Sequence, residues 1–230
     1  SIATFVTKWS SYGTGNGEFA SPISISIDSS ENIYVASDSR IQKFDSSGTY
    51  ISKFGSSGSG DGEFTSINAV EVGSDGSIYV ADSSRIQKFD STGTFVTKWG
   101  SYGTGDGEFT TPYGIAVDGS SKVYIADNDN DRIQIFDSNG NYLTQWNDFS
   151  NPYGVAVDMN DNVYVANASG GLIQKFDSSG NKLAQWSSFA NGENSYSPRR
   201  ITLDSSNNLY VADNNNYLVK KYTPALITNN

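Results

Sequence analysis

The chain of 230 residues carries 25 Asp and Glu against 15 Lys and Arg, a formal net charge of −10, and contains no Cys and no His. Those absences exclude disulfides, thiol nucleophiles, imidazole bases and Cys/His zinc sites. The acidic balance argues against nucleic acid, whose backbone is bound through clustered cations, and no apolar run approaches the roughly 20 residues of a membrane span.

The first predicted strand is "FVTKW" (residues 5–9), and a Gly-rich run, "GTGNGEF" (13–19), follows it. Five repeats come next, at about 23–54, 68–99, 113–146, 153–186 and 199–222, with a tail at 223–230. Their first segments end at Asp28, Gly73, Asp118, Asp158 and Asp204, at spacings of 45, 45, 40 and 46. The Gly-rich run recurs as "GSGDGEF" (58–64) and "GTGDGEF" (103–109). The short interval arises because only five residues separate Trp146 from Pro152, where twelve separate Trp99 from Pro112. "IQKFDSSG" at 41–48 returns unchanged at 173–180, and "FVTKW" returns at 95–99.

Each unit reads as four short strands, such as 114–118, 122–127, 132–137 and 141–146. They are rich in Val, Ile, Tyr and Phe and are separated by Gly, Asn, Asp and Ser turns. No 3.6-residue period is sustained, so helices are not expected. The second and third strands are apolar on both faces, which suits blades sandwiched between blades. The expected fold is an all-β, single-domain, five-bladed β-propeller of four-stranded antiparallel blades. The last unit lacks a fourth strand, and the segment at 4–9 is expected to supply it and close the ring; a six-bladed ring missing one unit is the less economical alternative.

"GEFTTPYGIAVDGSSKVYIADNDNDRIQIFD" (107–137) and its four relatives resemble the NHL-repeat family of β-propellers. The tripeptide that names that family falls on Asn130-Asp131-Arg132 and Asn216-Tyr217-Leu218, without its His. The resemblance implies the propeller fold and several tasks: RNA binding through a basic face, extracellular adhesion or sensing, and lyase activity with His-bound zinc. An acidic chain without His leaves a binding or interaction module.

Several motifs have structural readings. The Gly-rich runs feed strands rather than helices, so they are expected to be interblade loops, with Glu18, Glu63 and Glu108 bonding to backbone N–H groups. "DNDND" (127–131) has the alternating oxygens that Ca²⁺ favours, so Asp127, Asp129 and Asp131 are weak calcium candidates; no other cofactor is expected. Trp9, Trp99, Trp146 and Trp186, with Phe54, recur at one position and suit either interblade packing or a set of sugar platforms. "NAS" (167–169) is a glycosylation acceptor in an exported protein.

The best functional hint is a deviation. "SPRRITLD" (197–204) stands where other units read "TPYGIAVD" and "NPYGVAVD". Alternation in the first strands places one apolar set between blades and a small-residue set toward the channel, where only Glu71 and Arg200 are large and charged. Arg199 begins its strand as Asn68, Tyr113 and Tyr153 begin theirs, and Asp82, Asp127, Asn167 and Asp213 are expected around the same mouth. These ten residues form the predicted ligand-binding set. Either the arginines bind a small anionic, glycan or peptide ligand, or Arg200 plugs the channel by pairing with Glu71 or a nearby Asp. The expected function is a non-enzymatic interaction scaffold, monomeric, extracellular or on the cell surface, with a protein, peptide or glycan partner. The alternatives are a propeller enzyme (glycoside hydrolase or lyase) and a multivalent lectin.

Overall fold

The computed structural model describes residues 5–187 and 197–223. Blade 1 consists of β1 (Pro22–Ile27), β2 (Ile33–Ser37), β3 (Arg40–Phe44) and β4 (Tyr50–Phe54). A short parallel pair, β5 (Ser56–Ser57) and β6 (Glu63–Phe64), pins the Gly-rich loop that follows. Blade 2 is β7 (Ile67–Val72), β8 (Ile78–Asp82), β9 (Arg85–Phe89) and β10 (Phe95–Trp99). Blade 3 is β11 (Pro112–Val117), β12 (Val123–Asp127), β13 (Arg132–Phe136) and β14 (Tyr142–Trp146). Blade 4 is β15 (Pro152–Val157), β16 (Val163–Asn167), β17 (Leu172–Phe176) and β18 (Lys182–Ser187). Blade 5 contains β19 (Pro198–Leu203), β20 (Leu209–Asp213) and β21 (Leu218–Tyr222). Every blade is an antiparallel meander, and the described residues contain one 3₁₀ turn (Asn128–Asn130) and no α-helix. The fold is a five-bladed propeller, as the repeats predict.

The core lies between blades. Val70 and Val72 of β7 pack on Tyr34, Ala36 and Ile41 of blade 1, and equivalent clusters join blades 2 to 3, 3 to 4 and 4 to 5. That pattern explains why second strands are buried on both faces. It also explains the recurring aromatic of the fourth strand. Phe54, Trp99 and Trp146 reach forward onto Phe89, Phe136 and Phe176 of the next blade, and Trp186 packs on Tyr222.

The repeat's third strand clamps the Gly-rich loop. Arg132 donates to the carbonyls of Thr104, Gly105 and Glu108, and Gln134 donates to Glu108 O while accepting Gly107 N–H. Arg85 and Gln87, and Arg40 and Gln42, do the same for the loops at 58–64 and 13–19. Within each loop Glu18, Glu63 and Glu108 accept the N–H of Gly15, Gly60 and Gly105, as expected. Blade 4 has no such loop, and its third strand begins with Leu172 in place of Arg.

The turn Asp has a second task. Asp28, Asp118, Asp158 and Asp204 each cap their own turn and accept the hydroxyl of a Tyr on the second strand. Blade 2 has Gly73 at that position, and the buried Tyr79 hydroxyl has no partner. A buried unsatisfied hydroxyl costs about 1–3 kcal/mol. Replacing Gly73 by Asp together with Asp75→Ser, which restores the turn used by the other blades, is expected to stabilise the fold by about 1–2 kcal/mol. Equilibrium denaturation measures this, and a midpoint unchanged or lowered contradicts it.

Residues 5–9, the described part of the segment expected to close the ring, are assigned to no strand. Among the described residues blade 5 has three strands. Trp9 is held by blade 1, against Phe44 and over Gly48, as Phe54 is held over Gly93 of blade 2. Ile25 and Ile27 are 60% exposed, whereas their counterparts Val70 and Val72 are 2% and 8% exposed.

Candidate functional site at the channel mouth

The five first strands, with Tyr210, Ala212 and Val219 of blade 5, line a cavity of about 620 Å³ that includes the central channel. Their channel-facing residues are small because neighbouring strands approach closely: a Cβ on Gly154 would lie 2.4 Å from Arg199 O, and one on Gly114 2.7 Å from Tyr153 O. Each first strand also carries a register shift after its leading Pro or Ile, leaving Ile23, Asn68, Tyr113, Tyr153 and Arg199 unpaired in the ladder. A bulge of this kind turns a side chain out of the sheet and frees its backbone groups. At the channel mouth those freed groups become a site.

Arg200 uses them. Its guanidinium donates to Tyr113 O at 2.5 Å and Asn68 O at 2.6 Å, so blade 5 is tied across the mouth to blades 3 and 2. Burial lowers its pKa from the ordinary arginine value, with the two tyrosines opposing. Among the described residues it makes no ion pair with Glu71 or any Asp, contrary to the pairing considered from the sequence. The bulged carbonyls supply the acceptors that a carboxylate was expected to give.

Arg199 is placed differently. Its guanidinium carbon lies 5.0 Å over the ring of Tyr153, which is stacked on Tyr113 at 4.2 Å and 10°. Arg199 is exposed and makes no hydrogen bond or ion pair with the described residues. The result is a three-layer stack topped by a guanidinium that bonds to no acceptor among the described residues. Asn68 sits beside it with its amide on Pro112 O.

Glu71 stands deeper in the channel. Ser26 donates to its carboxylate at 3.2 Å while accepting Val72 N–H, and no cation among the described residues offsets its burial. Desolvation pushes its pKa up to about 7, against the lowering by Ser26. A carboxyl that folds into a site where it resists ionisation gives its full stabilising share below the unfolded value near 4.5, and that share is lost as pH rises to about 7. Glu71→Gln should therefore leave stability nearly unchanged at pH ~4, and raise it by up to about 3 kcal/mol above pH ~7, relative to wild type. A difference that is flat across this window in paired denaturation curves contradicts the assignment.

Asp82, Asp127, Asn167 and Asp213, expected around the mouth, are spent inside the blades. Asp82 accepts the N–H groups of Thr65 and Ser66 and pairs with Arg85; Asp127 accepts those of Thr110 and Thr111 and pairs with Arg132. Asn167 accepts Ser150 N–H and donates to Gln174, and Asp213 pairs with Lys220. All four are buried and present no free polar atom to a ligand. They lock the loop before each first strand instead. Burial of Asn167 also removes the "NAS" acceptor from the folded surface.

The calcium candidates do not converge. Asp127 faces Arg132, Asp129 accepts the Thr111 hydroxyl, and Asp131 accepts Asn151 N–H. No group of three carboxylates able to hold a metal occurs among the described residues. The recurrent tryptophans pack against the next blade, as the interblade-packing alternative expects.

The sequence reading missed the bulges, the tyrosine stack and the Arg–Gln clamp. The clamp had a visible signal: Arg begins the third strand only in units preceded by a "GEF" loop.

Comparison with known proteins supports this architecture. Residues 6–195 match the SMP-30/gluconolactonase/LRE-like region, and residues 196–222 match the NHL repeat. A crystal structure of virginiamycin B lyase from Staphylococcus aureus is similar at 12% identity and a TM-score of 0.68, over 89% of this chain and 67% of that one. A streptogramin B lyase is similar at 16% identity and a TM-score of 0.66, over 89% and 69%. A catalytically inactive His-to-Ala variant of the S. aureus enzyme, with quinupristin, is similar at 15% identity and 0.63, over 88% and 69%. At these identities the likeness is one of fold. No curated protein sequence matches significantly. With a family match across most of its length, the chain belongs to the SMP-30/gluconolactonase/LRE-like family of β-propellers, its last blade matching the NHL repeat.

Proposed function

We propose that this propeller is a non-catalytic binding module that captures a carboxylate-bearing ligand at the channel mouth. The observation that carries the reading is the contrast between two adjacent arginines. Arg200 is consumed by Tyr113 O and Asn68 O, while Arg199 lies over Tyr153 with its fork unengaged by described residues. A planar guanidinium favours a carboxylate bidentately, and the Tyr153–Tyr113 stack beneath it favours a flat or apolar group on the same ligand. The net charge of −10 disfavours polyanions but not a single carboxylate.

Titration calorimetry with benzoate, a short peptide bearing a free C-terminal carboxylate, and a neutral oligosaccharide tests this. Wild type should bind the two carboxylates, and Arg199→Gln should bind them about ten to a hundredfold more weakly, the worth of a charge-assisted pair. Binding of the neutral sugar alone, or equal binding by the variant, contradicts the reading.

A lyase is the second reading, favoured by the fold likeness and by the buried carboxyl of Glu71 in the channel. The neighbouring lyase is inactive as a His-to-Ala variant, and this chain has no His. Its chemistry would rest on Glu71, which has no second acid or base beside it among the described channel residues. Turnover of a streptogramin that disappears in Glu71→Gln would establish the lyase instead.

A further inference from the structure

The third strand of blades 2 and 3 opens with an arginine whose Nε reaches the acid that ends the second strand. Arg85 Nε donates to Asp82 at 2.9 Å and Arg132 Nε to Asp127 at 3.0 Å. The other oxygen of each carboxylate accepts two backbone N–H groups of the loop before the first strand, from Thr65 and Ser66 and from Thr110 and Thr111. Blade 1 keeps the arginine and the loop but not the acid. It reads Ser37-Asp38 where blade 2 reads Asp82-Ser83.

The rest of the arrangement is in place. Arg40 donates through its two terminal nitrogens to Thr14 O, Gly15 O and Glu18 O, as Arg132 does to Thr104 O, Gly105 O and Glu108 O. Its Nε is buried and has no hydrogen-bond partner among the described residues. Ala20 and Ser21 are the counterparts of Thr65 and Ser66, and Ser21 N–H reaches the buried Ser37 Oγ only at 3.4 Å. Asp38 is exposed and accepts the Ser37 hydroxyl at 2.9 Å, but forms no ion pair with Arg40. Blades 4 and 5 avoid the mismatch, since Asn167 stands with Leu172 and Asp213 with Lys220.

We propose that blade 1 binds a small monoanion, of the size of chloride or formate, between Arg40 Nε, the Ser37 hydroxyl and the N–H groups of Ala20 and Ser21. A guanidinium held out of water calls for a counter-charge, and blade 1 lacks the one that blades 2 and 3 carry in their own sequence. The serine side chain ends one bond short of where the aspartate oxygens lie, so an ion from solvent takes the position of the carboxylate and meets the same donors. The Ser37 hydroxyl turns from Asp38 to the ion, as a hydroxyl rotor can. Asp38 itself is exposed, where salt and solvent screen its charge. The same geometry limits the ion's size, because the loop and Arg40 already close the other sides.

Exchanging the two residues tests it. Ser37→Asp with Asp38→Ser writes the order of blade 2 into blade 1 and leaves composition and net charge unchanged, so general salt effects are the same in both proteins. Wild type should melt about 3–6 °C higher in sodium chloride or sodium formate than in sodium gluconate of equal ionic strength, the rise expected at roughly ten times the dissociation constant. The exchanged variant should melt above wild type in gluconate and at the same temperature in every salt. Wild type should also broaden the NMR line of chloride, and formate should relieve the broadening; the variant should not broaden it. A wild type that melts alike in all the salts, a variant that keeps the chloride response, or equal broadening by the two proteins would each overturn the proposal.

Discussion

Arg132→Ala is expected to destabilise the fold by about 3–5 kcal/mol, the cost of breaking a buried ion pair from one side. The side chain is 5% exposed and its partner Asp127 is fully buried, with Nε 3.0 Å from the carboxylate. Its remaining N–H groups satisfy Thr104 O, Gly105 O, Glu108 O and the Gln145 side chain. Alanine leaves Asp127 charged, with only the Thr110 and Thr111 N–H groups and the Asn130 amide beside it. It also releases the Gly-rich loop between blades 2 and 3.

The chain itself shows how the cost is avoided. Blade 4 has Leu172 where blade 3 has Arg132, and there Asp127 is matched by the uncharged Asn167. Blade 5 keeps Asp213 with Leu218 and brings Lys220 to within 3.4 Å of it. The double substitution Asp127→Asn with Arg132→Leu should therefore be milder than Arg132→Ala, because no buried charge is stranded. Chemical denaturation of both variants decides the matter; a double variant as unstable as the single would show that loop anchoring, not charge pairing, sets the cost.

Gly140→Ala is expected to cost about 2–4 kcal/mol, from two penalties that add. Gly140 sits at φ +86, in the left-handed region, and its Cβ would lie 2.5 Å from the indole of Trp99. The glycine turn between third and fourth strands is thus also the floor on which the preceding blade's aromatic rests. Gly48 beneath Trp9, Gly93 beneath Phe54 and Gly180 beneath Trp146 repeat the arrangement. Asn tolerates a positive φ but not the clash, so Gly140→Asn should be nearly as damaging as Gly140→Ala. Thermal melts of the two variants check this, and a well-tolerated Asn would show that only the dihedral matters.

Strand positions were legible in the sequence because the interblade core is periodic. The second strand predicted at 122–127 is observed at Val123–Asp127, and the third at 132–137 is observed at Arg132–Phe136. Alternation likewise placed Val70 and Val72 in the core and Glu71 in the channel. "FVTKW" at 5–9 repeats β10 in sequence but is assigned to no strand among the described residues, because the pairing of an outer strand depends on ring geometry that strand periodicity does not encode.

The site was half legible for a related reason. Arg199, Arg200, Tyr113 and Tyr153 do meet at the mouth, because they share the start of the first strand. Asp82, Asp127, Asn167 and Asp213 share an end of the second strand, but each turns into its own blade to bond the loop before the first strand. The bulge that separates the roles of Arg199 and Arg200 is a register shift that strand alternation does not announce, although Pro leads four of the five bulged strands.

In the proposed function Arg200 holds the mouth and Arg199 takes the ligand. Thermal melting of wild type, Arg199→Gln and Arg200→Gln, with and without benzoate or the carboxylate peptide at about a hundred times its dissociation constant, tests it most directly. Saturation at that level stabilises by about 2.7 kcal/mol, a rise of roughly 5–10 °C for a chain of this size. Arg199→Gln should melt with the wild type when unliganded and lose the rise. Arg200→Gln should melt earlier in either condition. A rise that survives in Arg199→Gln, or an Arg200→Gln protein as stable as wild type, would contradict the account.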